Sequence, residues 1–170
     1  MTHTQRKNRT GFTFAELLIV VMILAIASAL LVPLASNDQI IGLRAAAEVL
    51  AADIEDVQAR TLADPNEPTC LVPHADGSGW HIGYRHTPGQ PIAGIDGEPL
   101  VRFFGLGALA STPNAHLSTS ELPETGLTFD DQGAPTLTDG TICFEITGAE
   151  KDGSFTILLS TSTGRVSIER

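Results

Sequence analysis

Hydrophobic positions divide the chain into three stretches of different period. Residues 17–34 read Leu-Leu-Ile-Val-Val-Met-Ile-Leu-Ala-Ile-Ala-Ser-Ala-Leu-Leu-Val-Pro-Leu, with Ser28 the one polar residue among them. A helix over residues 12–35 would be about 36 Å long at 1.5 Å per residue, enough for a hydrocarbon core of roughly 30 Å. The spacing then changes. Ile40, Leu43, Ala47, Leu50, Ile54 and Val57 lie three or four apart, which is one apolar stripe on a helix, and Arg44, Glu48, Glu55 and Asp56 fall off it. Arg44/Glu48 and Asp56/Arg60 are i,i+4 pairs. Asp64-Pro65 predicts a helix end near Ala63. The stripe is too short to favour a coiled coil, so packing against a sheet of the same domain is expected.

From residue 69 onward the period falls to two. Strands are predicted at 69–73, 79–86, 99–106, 126–130, 141–147, 154–161 and 165–169. They are separated by turn-forming pairs such as Asp76-Gly77, Asp96-Gly97, Gln132-Gly133 and Thr163-Gly164. Trp80, Ile82 and Tyr84 share one face, as do Ile142, Phe144 and Ile146, and also Phe155, Ile157 and Leu159. That alternation suits half-buried antiparallel strands. Residues 107–125 are polar and contain prolines, so they read as a long loop. The expected class is α+β, a long N-terminal helix laid on antiparallel β-sheet.

Charge sharpens this division. Residues 1–11 carry Arg6, Lys7 and Arg9 and no acid, and residues 12–35 carry only Glu16. Residues 36–170 hold 19 acids and seven bases, a net charge of −12. The chain thus reads as a basic leader (1–11), an apolar helix (12–35) and an acidic domain (36–170). The apolar run is longer than the core of a usual secretory signal, and no good small-residue cleavage site follows it. With the basic residues before the span, the positive-inside rule puts the leader in the cytoplasm and the acidic domain outside. A chain of pI about 4.7 is a poor nucleic-acid binder by bulk charge.

Glu16 lies one turn inside the apolar helix, where a carboxylate is expensive and usually has a partner. Its surroundings are Arg9-Thr10-Gly11-Phe12-Thr13-Phe14-Ala15-Glu16-Leu17-Leu18. This junction resembles the leader of type IV prepilins and type II secretion pseudopilins. The resemblance implies cleavage between Gly11 and Phe12 by a membrane prepilin peptidase, which also methylates the new amine of Phe12. It places Glu16 fifth in the mature chain, ready to neutralise the Phe12 amine of a neighbouring subunit in a filament. It also makes Pro33 the counterpart of the proline that kinks many pilin helices. Physically, two charges costly in lipid become one satisfied pair.

The remainder resembles the GspH/FimT type of minor pilin. The likeness rests on Leu43-Arg44, Ala59-Arg60, Gly79-Trp80-His81-Ile82-Gly83, Leu127-Thr128-Phe129-Asp130-Asp131-Gln132-Gly133 and Ser162-Thr163-Gly164-Arg165-Val166. It implies a minor pseudopilin of type II secretion in the inner membrane, with a periplasmic domain. Its implied partners are the peptidase/methyltransferase, other pilins and membrane lipid. The alternative is a FimT-like pilin of pilus assembly or DNA uptake. DNA-receptor members carry Gly-Arg-x-Arg where this chain has Gly164-Arg165-Val166-Ser167, so no nucleic-acid partner is expected.

Other chemistry finds little support. The five histidines show no zinc-ligand spacing, and Asp130, Asp131 and Asp139 read as turn caps rather than a calcium loop. No nucleophile elbow or phosphate-binding glycine loop occurs, so neither an enzyme nor a cofactor is expected. Cys70 and Cys143 are an even pair in a domain assigned to an oxidising compartment, and a disulfide between them is expected.

Overall fold

The computed structural model describes residues 14–120, 122–123, 125–137, 140–149 and 153–170, with the side chains of residues 28–38 outside the described set. Helix α1, Phe14–Ala63, has 50 residues. The chain divides into two compact units, the first ending at Asn37 and the second running from Asp38 to Arg170. In the first unit the backbone is helical from Phe14 onward, Pro33 included.

The second unit is an α+β domain. Its share of α1 ends at Ala63 as the sequence predicts, with the Asp64 amide bonded to Arg60 O and Pro65 following. The chain then enters β1 (Thr69–Pro73), pinned to the helix end by a buried threonine pair. Thr69 N donates to Thr61 Oγ1 at 3.2 Å, and Thr69 Oγ1 donates to Val57 O at 3.1 Å. Strands β2 (Gly79–Tyr84), β3 (Thr87–Pro91), β4 (Val101–Phe103) and β6 (Leu127–Thr128) complete the first sheet, in the order β3-β2-β1-β6. Strand β4 shares one edge of β2 with β3: it pairs Gly79–His81, while β3 pairs Gly83 and Tyr84. The second sheet runs β5-β7-β8-β9, formed by His116–Thr119, Thr141–Thr147, Ser154–Ser160 and Val166–Glu169. Every pairing is antiparallel.

One core joins these layers. Leu43, Ala47, Leu50, Ile54 and Val57 of the predicted stripe are buried, and Ile40 packs at its margin. They meet Leu71, Trp80, Ile82 and Leu127 from the first sheet, Phe129 just after β6, and Ile142, Phe144, Ile146, Phe155, Ile157 and Leu159 from the second. The ion pairs Arg44–Glu48 (3.1 Å) and Arg60–Asp56 (2.7 Å) form off the stripe as expected.

Two local expectations are corrected. The stretch 107–125 is not one long loop: it contains a 3-10 turn at Gly107–Leu109 and strand β5. Strand β3, Thr-Pro-Gly-Gln-Pro, was not predicted either. It survives two prolines because it lies at a sheet edge and meets β2 at only two register points.

Candidate functional site

The candidate site is the N-terminal segment of α1. Glu16 sits in the first turn of the helix. The large apolar side chains around it, from Phe14 to Ile26, are between 48% (Val20) and 80% (Phe14) exposed. They point in every direction around the axis, since Leu17, Leu18, Ile19, Val20, Val21, Met22, Ile23 and Leu24 are consecutive. An apolar helix of this kind needs lipid or other helices around it. Among the described residues no helix is long and apolar enough to cross a membrane. The apolar run 17–34 extends into residues whose side chains lie outside the described set. Gly11 and Phe12 lie outside it too, as do Asp139 and the side chain of Pro33.

The acidic domain holds a second constellation that sequence reasoning missed. Asp53 is on α1, 9% exposed, beside the core residues Leu50 and Ile54. Its Oδ2 accepts the indole N–H of Trp80 at 2.8 Å and Arg102 Nε at 3.1 Å, and Oδ1 accepts Arg102 Nη2 at 3.3 Å. Trp80 and Arg102 are direct cross-strand partners on β2 and β4, so both side chains project from one face onto the helix. The group joins helix to sheet, and it leaves neither the indole N–H nor the carboxylate unsatisfied. One signal was available: an acid flanking the apolar stripe in a chain with a single tryptophan.

A further tie lies one turn on. Gln58 Nε2 donates to Gly133 O at 2.6 Å. Gly164, at φ +65°, packs so closely on that amide and on Gly133 O that a Cβ has no room. Gln58 therefore holds the turn after β6 and the β8–β9 turn against the helix.

Titratable groups cluster around the β1–β2 turn. The rings of His74 and His81 stack with centroids 5.5 Å apart, and His74 also meets Phe103 at 4.8 Å. Burial, and then the neighbouring His81, push the His74 pKa down against a smaller pull from Asp76. The side-chain and backbone bonds of Ser78 hold Asp76 below its usual value. Among the described residues no group of three His, Cys, Asp or Glu side chains is placed to hold a metal ion. Asp130 caps its own turn, its Oδ1 accepting the amides of Gln132 (3.0 Å) and Ala134 (2.7 Å).

The expected Cys70–Cys143 disulfide is corrected. Both thiols are free. Cys70 is buried on β1 of the first sheet with Sγ directed to Gly83 O, and burial raises its pKa. Cys143 is on β7 of the second sheet, between the buried Ile142 and Phe144, so it faces away from the core that separates the sheets.

Residues 6–32 match the family model described as the prokaryotic N-terminal methylation motif. The match takes in Arg6, Lys7 and Arg9 of the basic leader, Gly11, Phe12, Glu16 and most of the apolar run. No curated protein and no solved structure matches the chain. The motif supports a type IV pilin-like protein. It implies processing by a prepilin peptidase, assembly with other pilins and inner-membrane anchoring by the N-terminal helix.

Proposed function

We propose that this chain is a minor pseudopilin of the type II secretion system, a structural subunit rather than an enzyme. Prepilin peptidase cuts between Gly11 and Phe12 and methylates Phe12. Residues 12–35 hold the product in the inner membrane, with residues 36–170 in the periplasm. On assembly the apolar helix joins a short filament that supports protein export across the outer membrane. There Glu16 neutralises the amine of Phe12 on an adjacent subunit. The observation that carries this reading is the methylation motif over residues 6–32, continued by a helix whose apolar side chains are exposed on all sides.

The choice between secretion and pilus systems leans on the second sheet. Arg165 immediately precedes β9, whose residues are Val166, Ser167, Ile168 and Glu169, so no second arginine stands beside it. With a net charge of −12, residues 36–170 repel a polyanion. A FimT-like role in DNA uptake is therefore the second reading.

Co-expression with an active prepilin peptidase tests processing. Intact mass should show loss of 11 residues and one added methyl group, both abolished by Gly11→Val. An unprocessed wild-type chain beside a processed control pilin would refute the assignment. An anisotropy titration of the purified chain against duplex DNA at about 0.15 M salt separates the two systems. Micromolar binding abolished by Arg165→Ala would favour DNA uptake.

A further inference from the structure

The second sheet ends in an edge that is complementary to itself. Its outer strands are β5 and β9. Strand β5 is engaged on its free side, where Leu117 N donates to Gly77 O at 2.9 Å. Strand β9 is bonded to β8 in the register Leu159↔Val166, Leu158↔Ser167, Ile157↔Ile168 and Thr156↔Glu169. The bond from Ser160 N to Arg165 O sets the parity of this ladder. Arg165, Ser167 and Glu169 turn their backbone groups towards β8, so Val166 and Ile168 turn theirs outward, to an edge that no other strand among the described residues covers.

Side chains follow the same alternation. Val166 and Ile168 lie on the face shared with the buried Ile157 and Leu159, whereas Arg165, Ser167 and Glu169 lie on the opposite face. Ile168 is 37% exposed and Ile41 is 64% exposed. Together with Ile40, Phe155 and Arg44 they line a groove of about 420 Å³ between α1 and β9. Arg44 is already paired with Glu48, so its charge is met within the chain. None of Val166, Ser167 and Ile168 carries the charge that commonly guards an open edge.

We propose that β9 pairs antiparallel with β9 of a second copy of this chain, about a two-fold axis at Ser167, joining two four-stranded sheets into one of eight. In this register Val166 lies opposite Ile168 of the partner subunit, and Ile168 lies opposite Val166 of the partner subunit. These are the residues whose amides and carbonyls face outward, so both pairs form two backbone hydrogen bonds. Their side chains meet on the groove side and extend its apolar floor. On the other face Arg165 lies opposite Glu169 of the partner subunit, and the symmetry makes that ion pair twice. A shift by one residue would set outward backbone groups against inward ones. A shift by two would break the charge match. The backbone parity, the apolar pairs and the charges therefore select the same register. The contact is short, smaller than a standard protein–protein interface, so the dimer is weak in dilute solution.

Cysteine trapping of the full-length chain in detergent tests this. Ser167 sits on the axis as a non-hydrogen-bonded pair, where Cα atoms about 4.5 Å apart suit a disulfide. In a Cys143→Ser background, Ser167→Cys should form a disulfide-linked dimer on mild oxidation. Ser162→Cys in the exposed β8–β9 turn should form far less. Arg165→Glu or Glu169→Arg added to Ser167→Cys should lower the dimer yield about five- to tenfold, and the two swaps together should restore it. Emission from Trp80 checks that each variant is folded. Equal yields from Ser162→Cys and Ser167→Cys, or no rescue by the double swap, would overturn the proposal. So would a chain that in cells cross-links through Ser167→Cys to another protein in place of itself. None of these outcomes depends on leader processing or on which filament system the chain serves.

Discussion

Replacing Asp53 with alanine tests whether the buried carboxylate ties helix to sheet. Trp80 has no exposed surface, so the substitution strands its indole N–H in the core without an acceptor. An unsatisfied buried donor costs about 1–3 kcal/mol. Arg102 loses its partner too, but its side chain is 34% exposed and rehydrates, which adds no more than about 0.5 kcal/mol. The sum is about 1–3.5 kcal/mol, a sizeable share of the roughly 5–15 kcal/mol typical of a domain. Asp53→Asn keeps an acceptor for the indole and should cost about 1 kcal/mol. Urea unfolding of residues 38–170, which contain every residue of the core, gives the comparison. Trp80 is the one tryptophan of the chain, so its emission reports directly on this site. Combining Asp53→Ala with Trp80→Phe, followed by far-UV circular dichroism, should be less than additive, because the phenylalanine has no donor to strand. Two results would refute the reasoning. One is Asp53→Ala within about 0.5 kcal/mol of wild type at an unchanged denaturant slope. The other is Asp53→Asn as damaging as alanine.

Glu16→Ala should be inserted and processed normally but enter sheared filaments about tenfold less, because the neighbouring amine is left unpaired in an apolar core; equal incorporation would refute the charge pair. His74 is held below its usual pKa, so the fold favours its neutral form. The unfolded chain then binds more protons, and stability should be complete above about pH 6.5 and fall as the pH drops through that value. The urea midpoint of wild type should accordingly drop further than that of His74→Gln between about pH 7.5 and 5. A thiol reagent should label Cys143 in the native domain and Cys70 only on unfolding, giving two reactive thiols in denatured, unreduced protein. Fewer than two would restore the disulfide.

Sequence periodicity alone determined the elements whose burial follows from their own spacing. The stripe from Ile40 to Val57 is such a case, since residues three and four apart must share a helix face whatever they pack against. The same holds for β7 and β8, where alternation decides which side chains turn inward. The helix end at Ala63 was also legible, because Asp64-Pro65 acts on its own backbone. The N-terminal methylation motif over residues 6–32 is likewise a local pattern, carried by one short segment.

Only the tertiary structure decided which distant elements meet. Strand β5 buries Leu117 alone, too little for an alternating signal, and it exists because β7 offers an edge. Strand β3 draws its pairing from β2. The cysteines looked like a pair by compartment and count, but strand alternation and the placement of β1 and β7 in different sheets send their side chains apart. Asp53 was visible only as an acid flanking the stripe; what it meets was decided by the fold, because its partners lie 27 and 49 residues away and its burial depends on both. The self-complementarity of β9 has the same origin. The residues Arg165 to Glu169 are visible in the chain, but which of their backbone groups stay open was decided by the ladder with β8.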